Sequence, residues 1–340
     1  MPIRRLSGIA AAASEPDNGG DHSGGGSPGY VDDVFSTYLY EGNSFRTTIS
    51  NGIDLDGKGG LVWIKARDAA KDQALFDTER GLTNPPRLRT NSTDGNITEP
   101  DGLNSFNSDG FTVGASALIN KTGDNLVSWT FRKAPKFFDV VTYTGDNTAL
   151  TIPHNLGCEP GMIIIKRLDD PSDWYVYHNG FTFPNWCALN SMDPQDTPKE
   201  EGLSAPPTAD SFTVSPGASV SGANNDYVAY VFAHDDSEEG MIQCGSYTGN
   251  GADIDIDLGW EPQWLLLRAA NRTDAWKMYD SMRGVFTDSD DRVLEANTAG
   301  VEQDYVDRVA FTSSGFKPKP SENISGGEYI YMAIRKPDNT

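Results

Sequence analysis

The sequence predicts an all-β protein: three tandem antiparallel β-sandwich units, jelly-roll-like, preceded by an extended N-terminal arm. Three observations predict it. Four landmarks recur three times in one order along the 340 residues. Apolar and polar residues alternate with the period of two that strands require. Aromatic residues, at 10%, sit among many Gly, Asn, Asp, Ser and Thr, a mixture that suits short strands and frequent turns better than long helices.

The arm comes first. Residues 14–30 are rich in Gly, Ser and Asp and have almost nothing to bury, so residues 1–30 read as a flexible glycine-rich tether. Its first part carries the only anchors, Ile3, Leu6 and Ile9, with Arg4 and Arg5 between them. Such a peptide suits docking by folding on a partner. The short Ala-rich stretch after Arg5 is too small for the apolar core of a signal peptide.

The repeats follow. A Tyr-x-Gly-(Asn/Asp) turn occurs at Tyr40–Asn43, Tyr143–Asp146 and Tyr247–Asn250, spaced 103 and 104 residues apart. Next comes an apolar strand ending in a base, Leu61–Lys65, Met162–Lys166 and Trp264–Arg268. A Phe then stands at Phe111, Phe212 and Phe316, and each copy closes on an aromatic-rich strand, at Val127–Phe131, Tyr227–Phe232 and Tyr329–Ile334. Copies two and three share Leu-Gly-x-Glu-Pro, at Leu156 and Leu258; copies one and three share Asp-x-x-Arg-Gly, at Asp77 and Asp280. The units therefore span residues 31–136, 137–237 and 238–340, each large enough to own a core. The stretch 162–166, apolar on both faces, reads as a central strand covered on each side. Three beads, packed or strung, are the expected architecture.

Charge excludes some functions. A formal net charge of −22 disfavours nucleic acid, whose sequence-independent binding needs Lys and Arg on phosphates, and acidic membranes repel it as well. No run approaches the apolar length of a membrane span. Cys158, Cys187 and Cys244 form neither a CxxC pair nor a disulfide framework.

Catalytic patterns are sparse. Gly24–Gly29 fits GxGxxG as a string but neither follows a strand nor opens a helix. There is no GxSxG elbow on a strand-to-helix turn and no HExxH, and the four histidines are scattered. Asp253, Asp255 and Asp257 alternate along one strand face and are the candidate site for a calcium ion, the one metal considered; a solvated strand face is the competing reading. No other cofactor is expected. Lys65, Lys166 and Arg268 read as capping the ends of their strands or pairing with a nearby carboxylate such as Asp77 or Asp280, and Trp63, Trp129 and Trp264 as core. Trp174, Trp186 and Trp276 lie in polar, loop-like surroundings and are the candidates for stacking on a glycan.

The strings Val62–Lys65, Ser105–Phe111, Trp129–Gly145 and Tyr227–Asp235 resemble the tandem β-repeat segments of virion structural and tail-fibre-like proteins of marine tailed phages, cyanophages among them. The resemblance covers residues 34–337 and implies a particle protein without a catalytic centre. The expected function is a noncatalytic fibre- or spike-like projection of the virion, assembled in the host cytoplasm and held through Ile3, Arg4, Arg5, Leu6 and Ile9 to other tail or capsid proteins. It would present the units for host attachment, as a homo-oligomer such as a trimer, with a host surface glycan as a further partner. The alternatives are a capsid decoration or cement protein and a tail-associated polysaccharide-degrading enzyme.

Overall fold

The thrice-repeated apolar strand forms the centre of a sheet each time, because residues buried on both faces need a paired neighbour on each side and a layer above and below. The structure, a computed structural model, describes residues 30–195, 202–285 and 290–337. The arm therefore lies outside the described residues, apart from Tyr30.

Unit one runs β1 (Phe35–Glu41), β2 (Thr47–Ser50), β3 (Gly60–Ala66), β4 (Ala74–Asp77), β5 (Pro86–Arg87), β6 (Ile97–Thr98), β7 (Leu103–Asn107), β8 (Gly110–Val113) and β9 (Asn125–Arg132). Unit two runs β10 (Phe138–Thr144), β11 (Leu150–Pro153), β12 (Pro160–Arg167), β13 (Tyr175–His178), β14 (Cys187–Ala188), β15 (Leu203–Ala205), β16 (Ser211–Val214) and β17 (Asp226–Ala233). Unit three runs β18 (Ile242–Thr248), β19 (Ile256–Asp257), β20 (Pro262–Ala269), β21 (Lys277–Asp280), β22 (Asp290–Glu295), β23 (Gln303–Val306), β24 (Val309–Thr312), β25 (Gly315–Pro318) and β26 (Glu328–Arg335).

The three units share one topology. Their larger sheets have the orders β1-β9-β3-β4, β10-β17-β12-β13-β14 and β18-β26-β20-β21-β22-β23. Over each lies a three-stranded sheet, β2-β8-β7, β11-β16-β15 or β19-β25-β24. Every pairing is antiparallel, the first strand beside the last and the last beside the repeated apolar strand.

Strand register makes the equivalences precise. Leu61 faces Phe131 and Asp77; Met162 faces Phe232 and His178; Trp264 faces Ile334 and Asp280. In unit one the outward residues Val62, Ile64 and Phe76 pack with Ile49, Phe111 and Val113 of the smaller sheet. The inward residues meet their counterparts from the other units in one continuous core. It gathers Phe35, Phe138 and Ile242; Leu61, Met162 and Trp264; Trp129, Tyr230 and Met332; and Phe131, Phe232 and Ile334. Phe131 touches Phe232 and Trp264 edge-on, with ring centroids 5.5 and 6.0 Å apart.

The beads are thus neither strung nor independent. Each larger sheet is apolar on both faces, and the inner face packs against the other two units. Burying that face is worth about 1.5–3 kcal/mol per large side chain, which no single unit can recover alone.

The repeated Tyr-x-Gly turn explains itself in this frame. The hydroxyls of Tyr40, Tyr143 and Tyr247 donate to the carbonyls of Ile119, Val220 and Glu322 at 2.8, 2.7 and 2.6 Å. The following glycine lets the two loops cross. A Cβ on Gly42 would lie 2.2 Å from Lys121 O, and one on Gly145 2.5 Å from Gly222 O.

Candidate functional site

The polar residues that recur in the sequence converge on the junctions between units. Lys166 Nζ donates to Thr93 O of unit one at 3.0 Å. Arg268 donates to Asp193 O of unit two at 2.6 Å, and Lys65 to Ala299 O of unit three at 3.4 Å. Each base therefore caps carbonyls of the preceding unit's loop, rather than a carboxylate such as Asp77 or Asp280. Burial pulls the Lys65 and Lys166 ammonium groups down to about 8 and lowers Arg268 from its ordinary value.

Trp174 and Trp276 belong to the same junctions, which corrects their reading as glycan platforms. Both are essentially fully buried. Trp174 Nε1 donates to Arg89 O and Ser92 O at 3.0 Å, and Trp276 Nε1 to Ala188 O at 2.9 Å. In unit one Gln73 takes this place, donating to Glu295 O and Thr298 O of unit three. The polar surroundings seen in sequence are loops that turn the indole inward onto a neighbour's backbone. Trp186 is half-buried, stacked on Tyr175 at 5.2 Å.

A third set of contacts completes each junction. Tyr230 OH donates to Asp77 at 2.8 Å, Trp129 Nε1 to Asp280 at 3.1 Å, and His178 Nε2 to Tyr331 O at 3.0 Å. Asp77 and Asp280 also hold Arg80 and Arg283, at 2.6 and 2.5 Å. Unit two replaces that pair by His178 and Phe181, whose rings meet edge-on at 5.8 Å. His178 Nδ1 accepts from Gly180 N at 3.0 Å, so the neutral ring with its proton on Nε2 fills both contacts. Burial lowers its pKa to about 4.

Sequence reasoning missed the asparagine that seats each junction loop. Asn91, Asn190 and Asn297 accept the backbone N–H of Gln73, Trp174 and Trp276 at 3.0, 2.8 and 3.0 Å. A Ser or Thr follows each, so a signal existed, but insertions spoil the even spacing.

The acidic trio is spread out and exposed. Asp253 pairs with Lys319 at 3.4 Å and Asp255 with Lys317 at 3.2 Å, while Asp257 accepts from Gly259 N at 3.0 Å. No group of three or more His, Cys, Asp or Glu placed to hold a metal ion occurs among the described residues. Cys187 and Cys244 are buried, with thiols pushed up, that of Cys187 to about 11, which keeps them protonated and poorly nucleophilic. Ile3, Arg4, Arg5, Leu6 and Ile9 lie outside the described residues.

An open cleft of about 450 Å³ lies where unit one meets unit two. Val140, Val141, Tyr143, Leu150 and Ile152 form its apolar floor, and Glu79, Lys133 and Asn155 its polar rim. Lys133 sits 2.7 Å from Glu79 and 3.2 Å from Asp139, so its charge is answered on both sides. The walls are β10 and β11, each an edge strand of its sheet. Chemically the cleft offers apolar contact and strand-edge hydrogen bonds, which suits an extended segment more than a small polar substrate.

No helix among the described residues is long and apolar enough to cross a membrane. A family model described as a domain of unknown function, DUF7483, matches residues 31–337, and the chain belongs to that family. No curated protein and no solved structure matches it.

Proposed function

We propose that the chain is a noncatalytic structural and attachment module of a tailed-phage particle: a fibre- or spike-like projection held by residues 1–30 and presenting its ring of units outward. One observation carries this reading. The polar residues that recur across the units bind a neighbouring unit, so the chemistry repeated in the sequence serves assembly of the ring and not turnover of a substrate. The strongly acidic composition fits a component that must stay soluble at high local density.

The direction of the chain supports anchoring by the arm. Strands β1, β10 and β18 all start at the end of the sheets where the linkers between units lie, and the described chain enters and leaves at that same end. The Tyr-x-Gly turns lie at the opposite end of each strand. Particle proteins of tail or capsid are the partners in this reading, and a host surface glycan is the attachment target. A homo-oligomer such as a trimer would multiply weak contacts. A decoration protein lying across a capsid is the second reading, supported by the same closed shape and acidity.

Deleting residues 2–13 tests the anchor. The expected result is loss of incorporation into particles with unchanged circular dichroism; normal incorporation would contradict anchoring by the arm. Imaging of labelled particles separates tail from shell, since decoration requires hundreds of copies. Release of new reducing ends from host polysaccharide by the purified protein would overturn the noncatalytic reading.

A further inference from the structure

Two of the three junctions are spanned by the chain, through residues 133–137 and 234–241. The third, between unit three and unit one, is closed without a peptide link. All three nevertheless carry the same crossing hydrogen bond. Asn96 N donates to Leu168 O at 2.7 Å, Gln195 N to Ala270 O at 2.6 Å, and Glu302 N to Arg67 O at 2.6 Å.

The side chains at these matched positions differ in one respect. At the two linked junctions they are neutral, Asn96 with Leu168 and Gln195 with Ala270. At the unlinked seam both are charged. Arg67 forks onto Glu302, Nη2 to Oε1 at 2.7 Å and Nε to Oε2 at 3.0 Å. The Glu302 carboxylate is only 6% exposed, and Arg283 and Arg292 approach it at 3.3 and 3.8 Å. Bidentate guanidinium–carboxylate pairs are the strong and directional ones, the more so when water is largely excluded. The repeats supply their own control here. Fold, register and backbone hydrogen bond are held constant, and at these matched positions an ion pair stands only where the covalent link is missing.

We propose that the Arg67–Glu302 pair is a latch that keeps the seam shut and unit three seated on unit one of its own chain. The physical need is plain. At the linked junctions a short tether holds the faces at high effective concentration, whereas the seam's partners are joined only through the rest of the ring. An opened seam exposes two complementary faces, and the unit three of one copy can then seat on the unit one of another, which is domain exchange.

Full-length Arg67→Leu and Glu302→Gln, each copying the residue of a linked junction, test the latch by native-state hydrogen exchange. The expected result is at least tenfold faster exchange in residues 66–73 and 296–302, unchanged exchange in the matched segment 190–195, and concentration-dependent dimers on size exclusion. Arg67→Lys, which keeps the charge but not the two-pronged geometry, retains part of the protection, and it remains informative if Arg67→Leu fails to fold. Wild-type protein in 1 M salt should loosen at the seam first. Unchanged seam exchange in both single variants, or equal loosening of all three junctions, would overturn the proposal.

Discussion

The indole N–H of Trp129 donates to Asp280 Oδ2 at 3.1 Å, joining the last strand of unit one to the turn that ends β21 in unit three. Asp280 is fully buried and also holds Arg283 Nε at 2.5 Å, while the Arg283 guanidinium lies 5.3 Å from the centroid of the Trp129 ring. Replacing Asp280 by Asn leaves Arg283 in a buried site without its closest counter-charge, at a cost of about 3–5 kcal/mol. Trp129→Phe removes only the hydrogen bond, costing about 1–2 kcal/mol. Denaturant titrations of the two variants should rank them in that order.

His178 makes stability acid-sensitive. Its pKa is about 4 in the fold against 6.5 for the unsupported ring, so between those values the unfolded chain binds the extra proton. Its contribution is full above about pH 6.5 and falls by roughly 3 kcal/mol as pH drops to about 4. His178→Gln keeps a donor for Tyr331 O and does not titrate. Its stability should fall less steeply over that window than the wild type's; identical slopes would count against the assignment.

The junction lysines act in the opposite pH range. Lys65 and Lys166 are pulled to about 8 from 10.5, so here too the unfolded chain holds more protons, and stability rises with pH between those values. The expected rise is on the order of 1 kcal/mol per pH unit for each lysine. The double variant Lys65→Met, Lys166→Met should lose that rise, as measured by urea unfolding at pH 8 and 10.

Unit three carries a buried ionic cluster with no counterpart at the matched positions among the described residues of its sisters. Glu322 meets Lys277 at 2.7 Å and Arg308 at 3.0 Å, and Lys277 also meets Asp274 at 2.6 Å. The matched residues in unit one are Ile119 and Ala74, both in the apolar interior. Burial raises the Glu322 pKa. Lys277→Ala alone should cost about 3–5 kcal/mol, because it leaves the carboxylate short of a partner. Adding Glu322→Ile, so that unit one's residues are copied, should recover most of the loss. Additive losses in the double variant would show that the pair is not coupled.

Much of the fold was legible in the sequence. The four landmarks and the alternation of Ile254, Ile256 and Leu258 against acidic neighbours are enough to infer an all-β antiparallel fold, since core and turn residues leave a periodic trace. The ring was not legible. A strand such as Met162–Lys166 reveals that both faces are covered, but not that the second cover is two other units. Trp174 and Trp276 misled for the same reason, because their polar neighbours in sequence are loops that close over a junction. Gln73 breaks the tryptophan pattern and His178 the Asp-x-x-Arg pattern, so two of the three contact types show only two like members each. The cleft between β10 and β11 left no trace, since its floor is ordinary strand and part of its rim, Glu79 and Lys133, comes from a neighbouring unit.

The three repeats make one ring around one core, and scanning calorimetry reads whether that core melts as one. A shared core predicts a single transition for residues 31–337, with calorimetric and van't Hoff enthalpies in agreement, and no folded state for residues 31–136 alone. Three separable transitions, or an isolated first unit melting at the same temperature as the whole chain, would contradict it.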